Sequence, residues 1–587
     1  MYKKCCKWCK TTIDIFESYI DRVGDDLQRN HGGKEMYLNC LEEVKEITKE
    51  IVKVPSIVKS YDGETKCAEK IFEYYSKLPY FKENSDYLFL QMTEDDEIKR
   101  HNVLAMVRGK KGKSNKTIIM MGHIDTVGVD DFGTIKEYAF DPDKLPELLK
   151  ELDLGEEIDK DIDSGEYMFG RGALDMKAGV AGHMYLIKYF SEHPEELNGN
   201  IIALAECDEE DNSHGMVSAL KVFKKWKEKY NLEYIAGINA DYSTPYHEKD
   251  ENRYIYFGTI GKLLPSFYVT GKETHVGQAF GGLDPNLLVA ELTRLIELNP
   301  KLCDESQGEV TVPPISLKQA DFKEGYTVQT ALAAYSYYNF FTHSMSPNDV
   351  MVKMKEKAIE AFDNIVKYTN ESYKKYCEMG SHTYTKLPWK TRVLTWKEFY
   401  EELADVNGEE FKTYISNYAA ELNEKNPLMD LREFSVNVIN EAWKWTKYKS
   451  PAIIIYYSSI FSPRVEITGK DMDEKQLLQS VKESVNFVQE YSDKPIVTKM
   501  FYPYISDSSF MRISDDISEL KALENNMPAW GTKYTFPTEE VLEINVPVVN
   551  IGTYGKDGHK ITERVHMKYT FENIPNITYN TIKKLLS

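Results

Sequence analysis

Residues 117–125 read TIIMMGHID, an apolar run that ends, after Gly122, in a histidine and an aspartate one residue apart. The same design recurs along the chain. NIIALAE (200–206) runs into Asp208, Glu209 and Glu210, YIAGINA (234–240) ends in Asp241, and VPVVNIG (546–552) leads through TYGKDG to His559. Short, nearly continuous apolar runs are strands buried on both faces. The stretches between them, such as ALDMKAGVAGHMYLIKYFSEH and SALKVFKKWKEKY, carry helical apolar spacing. Strands alternating with amphipathic helices predict an α/β fold with a mostly parallel sheet covered on both sides. Such sheets collect ligands outside the carboxyl ends of their strands.

A chain of 587 residues is too long for one hydrophobic core, so more than one domain is expected. Residues 1–36 read as an N-terminal extension and 37–258 as the first part of a catalytic domain. After Gly258 the pattern changes. KLLPSFYVTG reads as a strand, and LDPNLLVAELTRLIEL as a helix capped by Asp284 with Pro285 in its first turn. TVQTALAAYSYYNFF reads as a long strand or strand pair, and a long helix follows from SPNDV. These features predict an inserted α+β domain over 259–425. The helix LREFSVNVINEAWKWT and the strand AIIIYYSSIF then point to a return of the parallel sheet, giving a second catalytic part over 426–587.

No stretch reaches the roughly 18 apolar residues of a membrane span. The N-terminus, MYKKCCKWCK, is basic but lacks the apolar core and cleavage site of a signal peptide, so a cytoplasmic protein is expected. A net charge of −21 argues against a nucleic acid or an anionic membrane as partner. Cys5, Cys6 and Cys9 cluster, but no second Cys-x-x-Cys pair follows to complete a zinc ribbon. The other cysteines are scattered, as in a reduced cytosolic chain.

Taken singly, a His-x-Asp is an ordinary surface pair and an aspartate after a strand an ordinary turn residue. Together, four strands deliver His123, Glu210, Asp241 and His559 to one edge, and Asp175 opens a helix after the glycine-containing turn FGRGAL. Two histidines and three carboxylates suit two adjacent divalent ions, zinc first and cobalt or manganese next, with one carboxylate bridging. A structural zinc site would instead be a closed, cysteine-rich shell.

The segments MGHIDTV, GRGALDMKAG, DEEDNSHG, NADYS, GKETHVG and GKDGHKITER occur in that order. They resemble the metal-site segments of the co-catalytic zinc peptidase family that includes aminoacylases, glutamate carboxypeptidases, tripeptidase T and succinyl-diaminopimelate desuccinylase. YPYISDSSFMR, NMPAWGTKYTFP and VPVVNIGTYGKDGHKITERV resemble the RocB-type arginine-utilisation proteins within it. The resemblance spans residue 38 to the end. It implies a zinc-peptidase catalytic domain split by an inserted lid. It also implies a metal-dependent hydrolase of small N-acyl amino acids or short peptides, with water activated between two metal ions, linked to arginine catabolism. By the same resemblance Asp175 bridges the metals, His123 and Asp241 complete one site, and Glu210 and His559 complete the other. Asp125 orients the His123 ring, Glu209 is the general base, and His275 of the insert donates to the oxyanion.

ISDSSF (505–510) aligns with a substrate loop in which Ser506 or Ser508 would approach a bound carboxylate, with Arg464 and Arg512 as candidate clamps. The chain departs from the family at Asn212, where glycine is usual, and at Tyr242, where glycine or Glu-Pro follows the ligand. A homodimer through the lid and a monomer with an enlarged lid both fit the insert. The reading opposed to an enzyme is a non-catalytic member that binds metal and acts as a binding or regulatory protein.

Overall fold

The computed structural model describes residues 35–587. Most of the N-terminal extension, including Cys5, Cys6 and Cys9, lies outside them. Strands β1 (Leu88–Met92), β2 (His101–Arg108), β3 (Lys116–His123), β4 (Asn200–Glu206), β5 (Glu233–Asn239) and β6 (Arg253–Phe257) come first in the chain. A second group follows: β7 (Gly261–Leu263), β8 (Pro265–Thr270), β9 (Ile315–Asp321), β10 (Ala333–Thr342), β11 (Val393–Thr395) and β12 (Ala452–Tyr457). Then come β13 (Ile496–Lys499) and β14 (Val548–Asn550).

The first group, with β13 and β14, builds an eight-stranded sheet in the order β1-β2-β4-β3-β5-β14-β6-β13. Its centre, β4-β3-β5-β14, is parallel throughout. The antiparallel pairs are β1-β2, β2-β4 and β14-β6. In β3 every residue after Lys116 is buried, and β4 is buried along its whole length. Strands covered on both faces have no polar side to alternate, which explains the continuous apolar runs. The helix Ala178–Glu192 lies against this sheet and is itself buried almost all round.

The second group forms a six-stranded sheet, β9-β10-β8-β12-β11, with β7 paired to β10. It is antiparallel except for β11-β12. The 33-residue helix Pro347–Met379 starts with a capping box, in which Ser346 and Asp349 bond each other's backbone. Trp396–Lys425 adds further helix, broken by a kink at Gly408, whose φ is 64°.

One strand differs from its expected position. AIIIYY joins the six-stranded sheet, antiparallel to β8, rather than resuming the large one. The helix before it, Leu431–Trp443, goes with it: Asn440 accepts a hydrogen bond from Tyr268 of β8 at 2.7 Å. An unbroken apolar run reports burial on both faces but not which sheet provides the neighbours. The chain therefore re-enters the large sheet at β13.

Two crossings link the sheets, and they run side by side. The outgoing one turns at Gly258, whose φ is 72° and whose position leaves no room for a side chain: a Cβ there would lie 2.1 Å from the Val465 carbonyl. The returning one pairs with it. Thr259 and Val465 exchange both backbone hydrogen bonds at 3.0 Å, and Lys262 N–H donates to Ser462 O at 2.9 Å.

Candidate active site

The carboxyl ends of β3, β4, β5 and β14 meet at one edge of the large sheet. His123 is the last residue of β3 and Asp241 lies two residues past the end of β5, and both are buried. Glu209 and Glu210 lie in the turn after β4 and are half-buried. Asp175 lies in the π-turn Ala173–Lys177 that feeds the helix Ala178–Glu192, and its peptide bond to Met176 is cis. His559 sits in the loop after β14, at the open side of the site.

These groups converge on Asp175. One carboxylate oxygen faces His123 Nε2 at 2.9 Å, and the other faces His559 Nε2 at 2.8 Å. The same His559 nitrogen lies 2.9 Å from Glu210 Oε1. Ligand atoms of His123, Asp175 and Glu210 all lie within 4.8 Å of one another. Asp241 is within electrostatic range of Asp175 and His123. Its backbone is clamped to β14, with Asp241 N–H donating to Asn550 Oδ1 at 2.9 Å and Asn550 Nδ2 donating to Asp241 O at 2.8 Å.

Asp125, two residues beyond His123, is fully buried. Its carboxylate accepts from Glu209 N–H at 3.2 Å and from Glu210 N–H at 3.0 Å. His123 Nδ1 lies 3.1 Å from the Asp125 carbonyl oxygen and 3.6 Å from its carboxylate. One side chain thus fixes the backbone of both glutamates, and the same residue turns the imidazole so that Nε2 faces Asp175.

The electrostatics of the protein alone are those of a cation site. Burial raises the Asp175 carboxyl, but hydrogen bonds from His123 and His559 outweigh it and hold it below the usual carboxylate range. Hydrogen bonds to Asp175 and Glu210 lift His559 to about 10. Burial opposes protonation of His123, yet Asp125 and Asp175 raise it well above an ordinary histidine. Asp241 is pushed to about 7 by burial and by Asp175. Burial drives Glu209 well above its ordinary value, with Asp507, Glu210 and Asp241 adding to it and His123 opposing. Carboxylates this crowded hold protons only in the absence of a positive charge. Imidazole nitrogens and carboxylate oxygens facing one point, with one carboxylate presenting an oxygen to each side, fit a pair of divalent ions.

His275 is not brought to this cluster. It is exposed, at the start of a short turn near β8, and its Nδ1 accepts from its own Gly277 N–H at 3.0 Å. Arg464 is ion-paired to Asp515, and Arg512 to Asp471 and Glu474 at 3.0 Å each, so both guanidiniums already have carboxylate partners. Ser506 accepts from Asn239 Nδ2 at 2.8 Å, which ties the ISDSSF loop to the end of β5.

Three residues at the site had no role assigned to them from the sequence. Glu563 holds the Asp175 turn: one oxygen accepts from Leu174 and Asp175 N–H at 3.1 and 3.3 Å, and the other binds the buried Arg171 at 2.7 Å. Asp507 is buried, with one oxygen free of any hydrogen bond, and burial pushes it to about 7. Tyr242, next to Asp241, packs over the His559 loop. A signal for Glu563 existed, since it lies in the quoted segment GKDGHKITER, but nothing there indicates its partner.

The model of peptidase family M20/M25/M40 matches residues 119–511. The chain is 34% identical over 551 residues to Protein RocB of Bacillus subtilis, covering 94% of this chain and 96% of RocB. It is 25% identical over 337 residues to a succinyl-diaminopimelate desuccinylase of Psychrobacter arcticus, covering 57% of this chain and 72% of that protein. Among solved structures it is similar to YXEP of Bacillus subtilis, described as a dinuclear metal binding peptidase. That match has a TM-score of 0.43 and 9% identity, and covers 92% of this chain and 97% of that one.

Proposed function

Because the chain belongs to peptidase family M20/M25/M40 and is a metal-dependent hydrolase of that kind, we propose that it cleaves the amide or peptide bond of a small N-acyl amino acid or short peptide. Two divalent ions, zinc in the first instance, would polarise the scissile carbonyl and make the attacking water more acidic. Asp175 would hold both ions. His123 and Asp241 would complete one site, Glu210 and His559 the other. Asp125 positions His123 and the two glutamates.

Glu209 is the general base in this reading. It takes a proton from the attacking water and returns it to the leaving amine. Its backbone N–H is fixed by Asp125, and positive charge in the site favours the carboxylate form that a base needs. The observation that carries the proposal is the Asp175 carboxylate, with one oxygen facing each of two histidines delivered from opposite ends of the chain.

The resemblance to arginine-utilisation proteins directs the substrate search towards arginine-derived compounds. The test is a mass-spectrometric screen of N-acyl amino acids and di- and tripeptides, rich in arginine compounds, with metal-loaded wild type and Glu209→Gln. Cleavage by the wild type alone, with both proteins binding two metals per chain, supports the reading. Failure to cleave anything with two metals bound favours a binding or regulatory protein.

A further inference from the structure

The tyrosine after Asp241 closes one wall of the site. The Tyr242 ring stacks on Tyr504, with centroids 5.3 Å apart and planes inclined by 15°. Its phenolic end lies close to the loop that carries His559. A Cβ added at Gly558 would stand 3.1 Å from Tyr242 Cζ and 3.2 Å from its hydroxyl oxygen. The backbone is fixed as well: Tyr242 N–H donates to Asp241 Oδ1 at 2.7 Å, and its carbonyl accepts from the Tyr502 hydroxyl at 2.9 Å. The phenol is therefore packed on Tyr504 with its hydroxyl end beside the His559 loop, and its backbone is joined to Asp241.

Its hydroxyl is uncommitted, with no hydrogen-bond partner among the described residues. A tyrosine phenol ordinarily carries its proton at neutral pH, so it is available as a donor. A rigid, uncommitted O–H at the rim of a hydrolytic centre has one evident use, which is to meet negative charge that appears only during reaction. The histidine expected to do this, His275, is exposed and away from the cluster. Tyr242 is also where the sequence departs from the resemblance it otherwise follows.

We infer that Tyr242 donates a hydrogen bond to the substrate carbonyl oxygen as that oxygen becomes negative. The inference rests on the hydrolase reading above. Water adds through its oxygen to the carbonyl carbon, and its proton goes to Glu209. The π pair of the C=O bond moves onto oxygen, where the Tyr242 O–H meets it. The pair then returns, the C–N bond breaks, and the amine leaves with the proton from Glu209. Tyr242 keeps its own proton throughout.

Tyr242→Phe removes one oxygen atom and keeps the stack on Tyr504. Three quantities are read on metal-loaded protein: metals per chain, the affinity for inorganic phosphate by calorimetry, and kcat and KM for whichever substrate the screen identifies. Phosphate is a small tetrahedral anion that tests the donor without any turnover. The expected result is unchanged metal content, phosphate binding weakened about tenfold or more, and kcat lowered about 10²–10³-fold with KM little changed. Gly558→Ala, which pushes the ring aside, gives a smaller loss in the same direction.

Phosphate affinity and kcat within about twofold of wild type would overturn the inference. So would loss of metal from Tyr242→Phe, which would make the hydroxyl a prop for the ligands. If His275→Ala, run alongside, loses kcat while Tyr242→Phe does not, the histidine is the donor. A wild type that cleaves nothing but loses phosphate on Tyr242→Phe refutes the hydrolase reading and leaves the anion donor standing. A wild type that cleaves, with an indifferent Tyr242→Phe, does the reverse.

Discussion

Asp125→Asn tests how much one buried carboxylate organises. The wild-type side chain accepts two backbone hydrogen bonds, from Glu209 and Glu210, one on each oxygen. Asparagine retains a single oxygen. One of the two N–H groups then loses a charged acceptor and faces an NH₂ group, against a fully buried side chain. A hydrogen bond to a charged group contributes about 1.5–3 kcal/mol, and an orphaned buried donor carries a similar penalty that overlaps with it, so the change costs about 3 kcal/mol. His123 loses the nearby carboxylate, and outer partners of metal-bound imidazoles are worth about 10–100-fold in metal affinity. The base also moves, because its own peptide was one of the two held groups. A displacement of about 1 Å reduces turnover about 10²-fold. Chelator competition measures the affinity, urea unfolding the stability, and the substrate from the screen the rate. A variant that binds metal and turns over within about threefold of wild type would show that something other than Asp125 fixes the Glu209–Glu210 turn.

Two further outcomes follow from the same region. In the metal-free protein the pairing of His559, held at about 10, stabilises the fold fully below its ordinary 6.5 and is lost as pH rises through 10. Asp241 resists ionisation up to about 7 against an ordinary 3.8, so its ionisation also destabilises the fold as pH rises through that window. The metal-free melting temperature should therefore fall from about pH 5 to about pH 10, and bound metal should flatten the fall because it requires the deprotonated ligands; a metal-free midpoint that climbs with pH in paired melts with and without chelator would contradict this. Glu563→Gln leaves Arg171 short of a buried counter-charge, with Asp131 remaining, and puts a neutral amide where a carboxylate held the Asp175 turn. Breaking such a pair costs about 3–5 kcal/mol, and the remaining partner puts the value at the lower end, so the urea midpoint and the metal content should drop together. An unchanged metal content would separate the salt bridge from the site.

The large sheet and its ligand edge were readable because parallel central strands have to be apolar along their whole length. The change to histidine or acid at each strand end is then visible as a break, as at His123 and Asp241. Strand β12 shows the limit of that signal: AIIIYY is as apolar as β3, and only its neighbours decide which sheet it joins. The supporting residues escaped for a related reason. Glu563 looks like part of a charged loop until Arg171 and the Asp175 backbone are placed beside it. Arg464 and Arg512 looked like free cations, yet each has an acidic partner 38 or more residues away in sequence. Contacts of that range leave no periodic trace in the chain.

The two crossings between the sheets have a consequence for how such a protein can change. Since Thr259 and Val465 are bonded to each other, the large sheet experiences everything between them as a single excursion with touching ends. The entropic cost of an excursion depends on its closure and rises only slowly with its length. The intervening sheet can therefore lengthen, shorten or acquire new surfaces while His123, Asp175, Glu210, Asp241 and His559, none of which it contributes, keep their places. The metal-ligand set and the second sheet are built on separable pieces of chain, so selection can rework one without disturbing the other.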